Sequence, residues 1–91
     1  MKFNITKYNT RFSKSYTINL REFGLGEIVV SQHHKLLEVE GEWQEPTINW
    51  CACGSKPVED AVIFTDALTI AKHLCDCLAK DEIPTVTITE S

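Results

Sequence analysis

Ninety-one residues with 43% hydrophobic and 24% charged side chains make one domain of ordinary globular composition, enough to bury roughly 60–65% of the unfolded surface around a single core. No Pro/Gly-rich or single-residue tract argues for disorder, and no apolar run approaches bilayer length, which excludes a membrane-spanning helix. Met1-Lys2-Phe3-Asn4-Ile5-Thr6 alternates polar with apolar and cannot serve as a signal-peptide core, so a cytoplasmic location is expected, with the four cysteines as free thiols. The net charge of −4 is unevenly spread: residues 1–21 hold five cations and no acid, whereas residues 22–91 hold four lysines against thirteen carboxylates. A basic first segment beside an acidic remainder either steers a partner or is neutralised by it across the folded surface.

In chain order, Phe3 and Ile5, then Tyr16, Ile18 and Leu20, recur at period two around a polar stretch from Asn9 to Ser15, which predicts a β-hairpin. Gly24 and Gly26 punctuate the chain before the β-branched run Glu27-Ile28-Val29-Val30; residues 31–34 read as a polar turn into a strand over 36–40. Residues 47–53 are strand-like again, with Ile48, Trp50 and Ala52 on the better core face and Thr47, Asn49, Cys51 and Cys53 on the other. Gly54-Ser55-Lys56-Pro57 then breaks the strand and opens a helix, Ser55 serving as N-cap and Glu59 and Asp60 meeting the dipole. From 57 to about 80, Ala61, Phe64, Ala67, Leu68, Ala71, Leu74, Cys75 and Leu78 fall in one arc at about 100° per residue, opposite Thr65, Asp66, Thr69, Lys72, His73, Asp76 and Lys80. Pro84 stops the helix, and residues 85–89 read as a last edge strand or a frayed tail. The expected fold is α+β in a single domain, 1–91: an antiparallel sheet of four to five strands in a β-meander, then one long amphipathic helix packed on one face, with or without that C-terminal edge strand.

Cys51-x-Cys53 and Cys75-x-Cys77 suggest a four-thiolate zinc site by ligand type, but not by geometry. The strand pair points away from Trp50, and about 200° of helix separates Cys75 from Cys77. No metal and no cofactor are expected, and the cysteines read as small apolar side chains. His73, Asp76 and Cys77 read as a solvated helix surface, and the adjacent His33 and His34 diverge. No serine or cysteine sits in a nucleophile elbow or beside a base, and Gly24-Leu25-Gly26 has no following helix to make a phosphate loop. An enzyme is disfavoured. Direct nucleic-acid binding would rest on the basic N-terminal segment with Phe3, Tyr8, Phe12 and Tyr16, a thin basis at a pI of about 5.2.

Glu38, Glu40, Glu42 and Glu45 with Trp43 among them form the more suggestive feature. Same-face carboxylates two apart on a strand lie roughly 6.6–6.8 Å apart, close to the phosphate spacing of a nucleic-acid strand. Such an edge either occupies a partner's nucleic-acid groove or keeps a strand from aggregating. Trp43 is either an aromatic anchor for that surface or a residue folded back on the core.

Thr47-Ile48-Asn49-Trp50-Cys51-Ala52-Cys53-Gly54-Ser55, leading into the helix with Ala61, Phe64, Ala67, Leu68 and Ala71, resembles small phage and mobile-element proteins that join an antiparallel sheet to a helix, several anti-CRISPR inhibitors among them. The resemblance covers the second half of the chain and implies a working mode without catalytic residues: binding another protein by surface complementarity. The expected function is therefore a small non-enzymatic protein-binding module, in its sharpest form a phage-type inhibitor of a nucleic-acid-handling complex, using Glu38, Glu40, Glu42, Trp43 and Glu45. The alternative is a nucleic-acid-associated accessory domain using the basic hairpin. The expected partner is another protein, with no membrane, and a homodimer is left open.

Overall fold

The computed structural model describes residues 3–34, 42–52, 61–86 and 88–90. Four strands, β1 Asn4–Asn9, β2 Ser13–Asn19, β3 Glu27–His33 and β4 Thr47–Cys51, pair antiparallel with their sequence neighbours, and one helix, α1 Ala61–Lys80, follows. The fold is thus the α+β meander with one long helix. Among the described residues the antiparallel part of the sheet has four strands. Thr89–Glu90 instead lie parallel to β1 opposite Thr6 and Lys7, which is not a fifth antiparallel strand. The predicted cap at Ser55, the breaker Pro57, and Cys53, Glu59 and Asp60 fall outside the described residues, as do residues 36–40.

Period-two alternation sets the register. Ile5, Ile18, Ile28 and Trp50 stand abreast across the sheet, and Lys7, Tyr16, Val30 and Ile48 form the next row. On that face Ile5, Tyr16, Ile18, Ile28 and Val30 are buried beneath Ala67, Ala71, Leu74 and Leu78 of α1. The helix lies chiefly over β3, and each buried Ile or Leu contributes roughly 1.5–3 kcal/mol. The opposite face carries Thr6, Ser15, Thr17, Ser31 and Asn49, none of them buried.

The β2–β3 connection sends two leucines into the core while Arg21 and Glu22 stay exposed. Leu20 and Leu25 are both buried, and the chain folds back tightly enough for Leu20 N to donate to Gly26 O at 2.8 Å and Leu25 N to Leu20 O at 3.1 Å. That path requires φ of 72° at Gly24 and Gly26, which a Cβ would oppose. Trp50 secures the loop from β4: its Nε1 donates to Leu25 O at 2.7 Å, and its ring meets Phe64 edge-on at 5.0 Å.

Three expectations are corrected. Residues 31–33 continue β3 instead of turning, because pairing with β2 persists through Ser15↔Ser31, Lys14↔Gln32 and Ser13↔His33. Leu68 is only half-buried, whereas Cys77 is buried and Ile63 and Ile70 pack on the core. The buried arc is therefore rotated away from Leu68. Its cause is the returning C-terminal chain, whose Val86 and Ile88 pack against the core and whose Thr85 binds His73, donating its N–H to Nε2 at 3.2 Å. His73 is accordingly half-buried, not solvated, while Asp76 is exposed.

The helix ends in a Schellman motif: Asp81 N donates to Leu78 O at 3.4 Å and Glu82 N to Cys77 O at 2.9 Å. Asp81 occupies the left-handed position, at φ 54°, that glycine usually takes. Its carboxylate meets Lys14 at 3.8 Å, and Arg21 meets Glu27 at 3.9 Å. Both pairs join the basic first segment to the acidic remainder, so part of the charge asymmetry is neutralised within the fold.

Candidate protein-binding surface

The row beyond Tyr16 and Val30 on the inner face is polar: Asn9, Lys14 and Gln32 stand abreast there. Lys14 shares parity with Tyr16, Ile18 and Leu20, and Gln32 and His34 share parity with Ile28 and Val30, so the alternation that builds the core also carries these groups inward. Here the chain arriving at β4 crosses the sheet end. Gln44 N donates to His33 O at 2.7 Å, and Gln44 O accepts from Gln32 Nε2 at 3.0 Å. Gln32 is buried and satisfied by that bond.

Trp43 sits at the centre of this junction. It bridges to His34 across the chain, its ring meets the imidazole edge-on at 5.1 Å, and Lys14 Nζ lies 4.5 Å from its ring centroid. Such a cation–π contact is worth about 0.5–1 kcal/mol at a partly exposed site. Lys14 Nζ reaches Asp81 as well, tying the Trp43 segment to the end of α1. A cleft of about 250 Å³ between them is lined by Lys14, Gln32, Trp43, Glu45, Leu78 and Asp81. Trp43 is half-buried, and Glu42 and Glu45 are exposed on either side of it. The tryptophan is thus neither a free anchor nor a core residue: it is held by a lysine and a histidine with part of its ring open. Glu38 and Glu40 lie outside the described residues. Lys14 and His34 escaped the sequence reading as supports of Trp43, although their parity with the core positions was the available signal.

Other chemistry is weaker. Cys77 Sγ lies 3.7 Å from His73 Nε2, the spacing of a nucleophile–base pair. Burial, then the Glu82 and Asp76 carboxylates, push the Cys77 thiol up, the reverse of what an attacking thiolate needs. Cys75 is likewise pushed up by burial, then by Asp76 and Glu45, and its Sγ contacts Pro46 O at 3.7 Å. Among the described residues no three His, Cys, Asp or Glu side chains cluster as metal ligands, and no described helix is long and apolar enough to cross a membrane. Among the described residues the basic segment makes no continuous stripe: Lys14 and Arg21 are paired at the two ends of β2 and Arg11 lies over Phe12 at 5.5 Å. No family model, curated protein or solved structure matches the chain.

Proposed function

We propose that the chain is a non-enzymatic protein-binding module of the cytoplasm, and in its sharpest form a phage-type, anti-CRISPR-like inhibitor that occupies a cationic groove of a nucleic-acid-handling complex. The supporting observation is the partly open Trp43 ring, fixed by His34 and Lys14 and flanked by the exposed carboxylates of Glu42 and Glu45. A pre-positioned aromatic loses little conformational entropy on docking, and carboxylates beside it speed encounter with a basic surface and fix its register. Glu38 and Glu40, just before in sequence, add two further carboxylates to the segment in this reading. The rival reading, nucleic-acid binding through the basic hairpin, loses ground because Lys14 and Arg21 already face Asp81 and Glu27.

The test is co-purification of the tagged chain from host cells with nuclease treatment, followed by light scattering on the isolated complex. A stoichiometric complex with a basic, nucleic-acid-handling protein is expected. Salt-sensitive DNA or RNA binding by the isolated chain, with no protein partner, would replace this reading by its rival.

A further inference from the structure

The cleft beside Trp43 already holds a cation of this chain. Lys14 Nζ lies 4.5 Å from the indole centroid and 3.8 Å from the Asp81 carboxylate, so an aromatic face and a carboxylate converge on one ammonium. Glu45 lines the same cleft, and Leu78 and Asp81 bring to it the C-terminal end of α1, where the helix dipole is negative and favours a cation. The walls are fixed by bonds to other elements. Gln44 N donates to His33 O, Gln32 Nε2 donates to Gln44 O, and Cys75 Sγ contacts Pro46 O at 3.7 Å. Leu78 and Pro46 supply apolar lining.

Lys14 is a weak occupant of this site. An ammonium is a strongly hydrated point charge, and its ion pair is made to an Asp81 side chain that is 94% exposed. A guanidinium suits the same groups better: it is planar, stacks on an indole, is less hydrated, and offers a fork of N–H donors to carboxylates. Its methylene stem also matches the apolar lining of Leu78 and Pro46. We propose that the cleft is an arginine-binding site: an exposed arginine of the partner stacks on Trp43 within reach of Glu45 and Asp81, and Lys14 keeps the place of that cation until the partner displaces it. The assignment rests on the protein-binding reading above and gives the basic partner a defined anchoring side chain.

The test titrates the isolated chain with a capped tripeptide centred on arginine, and with matching tripeptides centred on lysine or on citrulline, the uncharged isostere of arginine. The NMR signals of the Trp43 indole and the Lys14 side chain report binding, with Trp50 as the internal control. Saturable shifts at Trp43 and Lys14 are expected with the arginine peptide, weaker ones with lysine and none with citrulline. Lys14→Met, which removes the competing cation, should tighten arginine binding by about two- to fivefold, and Glu45→Gln, at an exposed position, should weaken it. Absence of saturable shifts in the native chain, lysine or citrulline matching arginine, or weaker binding by folded Lys14→Met would each overturn the proposal. Failure of the arginine peptide while a basic protein still co-purifies removes the arginine site and leaves the protein-binding reading standing. Arginine binding by a chain that co-purifies with no protein supports the site and removes that reading.

Discussion

Leu68 and Leu74 lie on the same helix and carry the same side chain, yet the fold assigns them different weights. Leu74 is fully buried above β3, whereas Leu68 is half-buried on the β4 flank. Leu74→Ala removes three buried carbons and leaves a cavity that the neighbouring β-sheet cannot fill, a cost of about 3–5 kcal/mol. At roughly 0.05–0.15 kcal/mol per residue, that is a large share of a small domain's stability, and it should lower the melting temperature by about 12 °C or more. Leu68→Ala exposes its gap to solvent and retains part of the hydration it already had, so about 1 kcal/mol is expected, roughly 4–8 °C. Urea titration and thermal melts by circular dichroism measure both variants at one protein concentration, so that association does not enter the comparison. Equal losses, or a larger loss at Leu68, would refute the helix orientation described here.

Asp81 holds a left-handed φ at a cost on the order of 1 kcal/mol and places a carboxylate at the negative end of α1; Asp81→Gly should therefore raise stability by about 0.5–1 kcal/mol despite losing the exposed Lys14 pair, and a loss of stability would show that pair to dominate. Trp50→Phe keeps the ring against Phe64 but leaves Leu25 O without its donor, so a loss of about 1–2 kcal/mol is expected in urea titrations, and an unchanged midpoint would contradict the bond. The folded chain holds the Cys77 and Cys75 protons more tightly than the unfolded chain does, so stability present below the ordinary thiol range is lost as pH rises through it. Denaturation midpoints should fall between about pH 8 and pH 10, less steeply in Cys77→Ala, and midpoints that rise over that interval would contradict the burial of these thiols.

Local periodicity made most of the fold legible. Alternation at Ile5, Tyr16, Ile18 and Leu20 identified the core face of the first two strands, the β-branched run over 28–30 marked the third strand without assigning its face, and the 3.6-residue pattern identified Ala67, Ala71, Leu74 and Leu78. What escaped depends on chain segments distant in sequence. Cys77 is buried and His73 half-buried because Thr85, Val86 and Ile88 return across that flank, and no pattern within the helix encodes that return. Ser31 and His33 looked like turn residues because hydroxyl and imidazole side chains suit an open sheet face as well as a loop. At the candidate surface, the sequence named Glu42, Trp43 and Glu45, but the grip of Lys14 and His34 on the tryptophan arises only when the connection into β4 crosses the ends of β2 and β3.

Titration of the co-purified partner with the native chain and with Glu42→Lys/Glu45→Lys, whose exposed positions leave the fold untouched, reads the role of the acidic Trp43 segment. An unchanged melting temperature, an affinity reduced by about tenfold or more, and a weaker salt dependence of what binding remains are expected. Full affinity in that variant at every ionic strength would contradict the assignment of the acidic Trp43 segment as the contact surface.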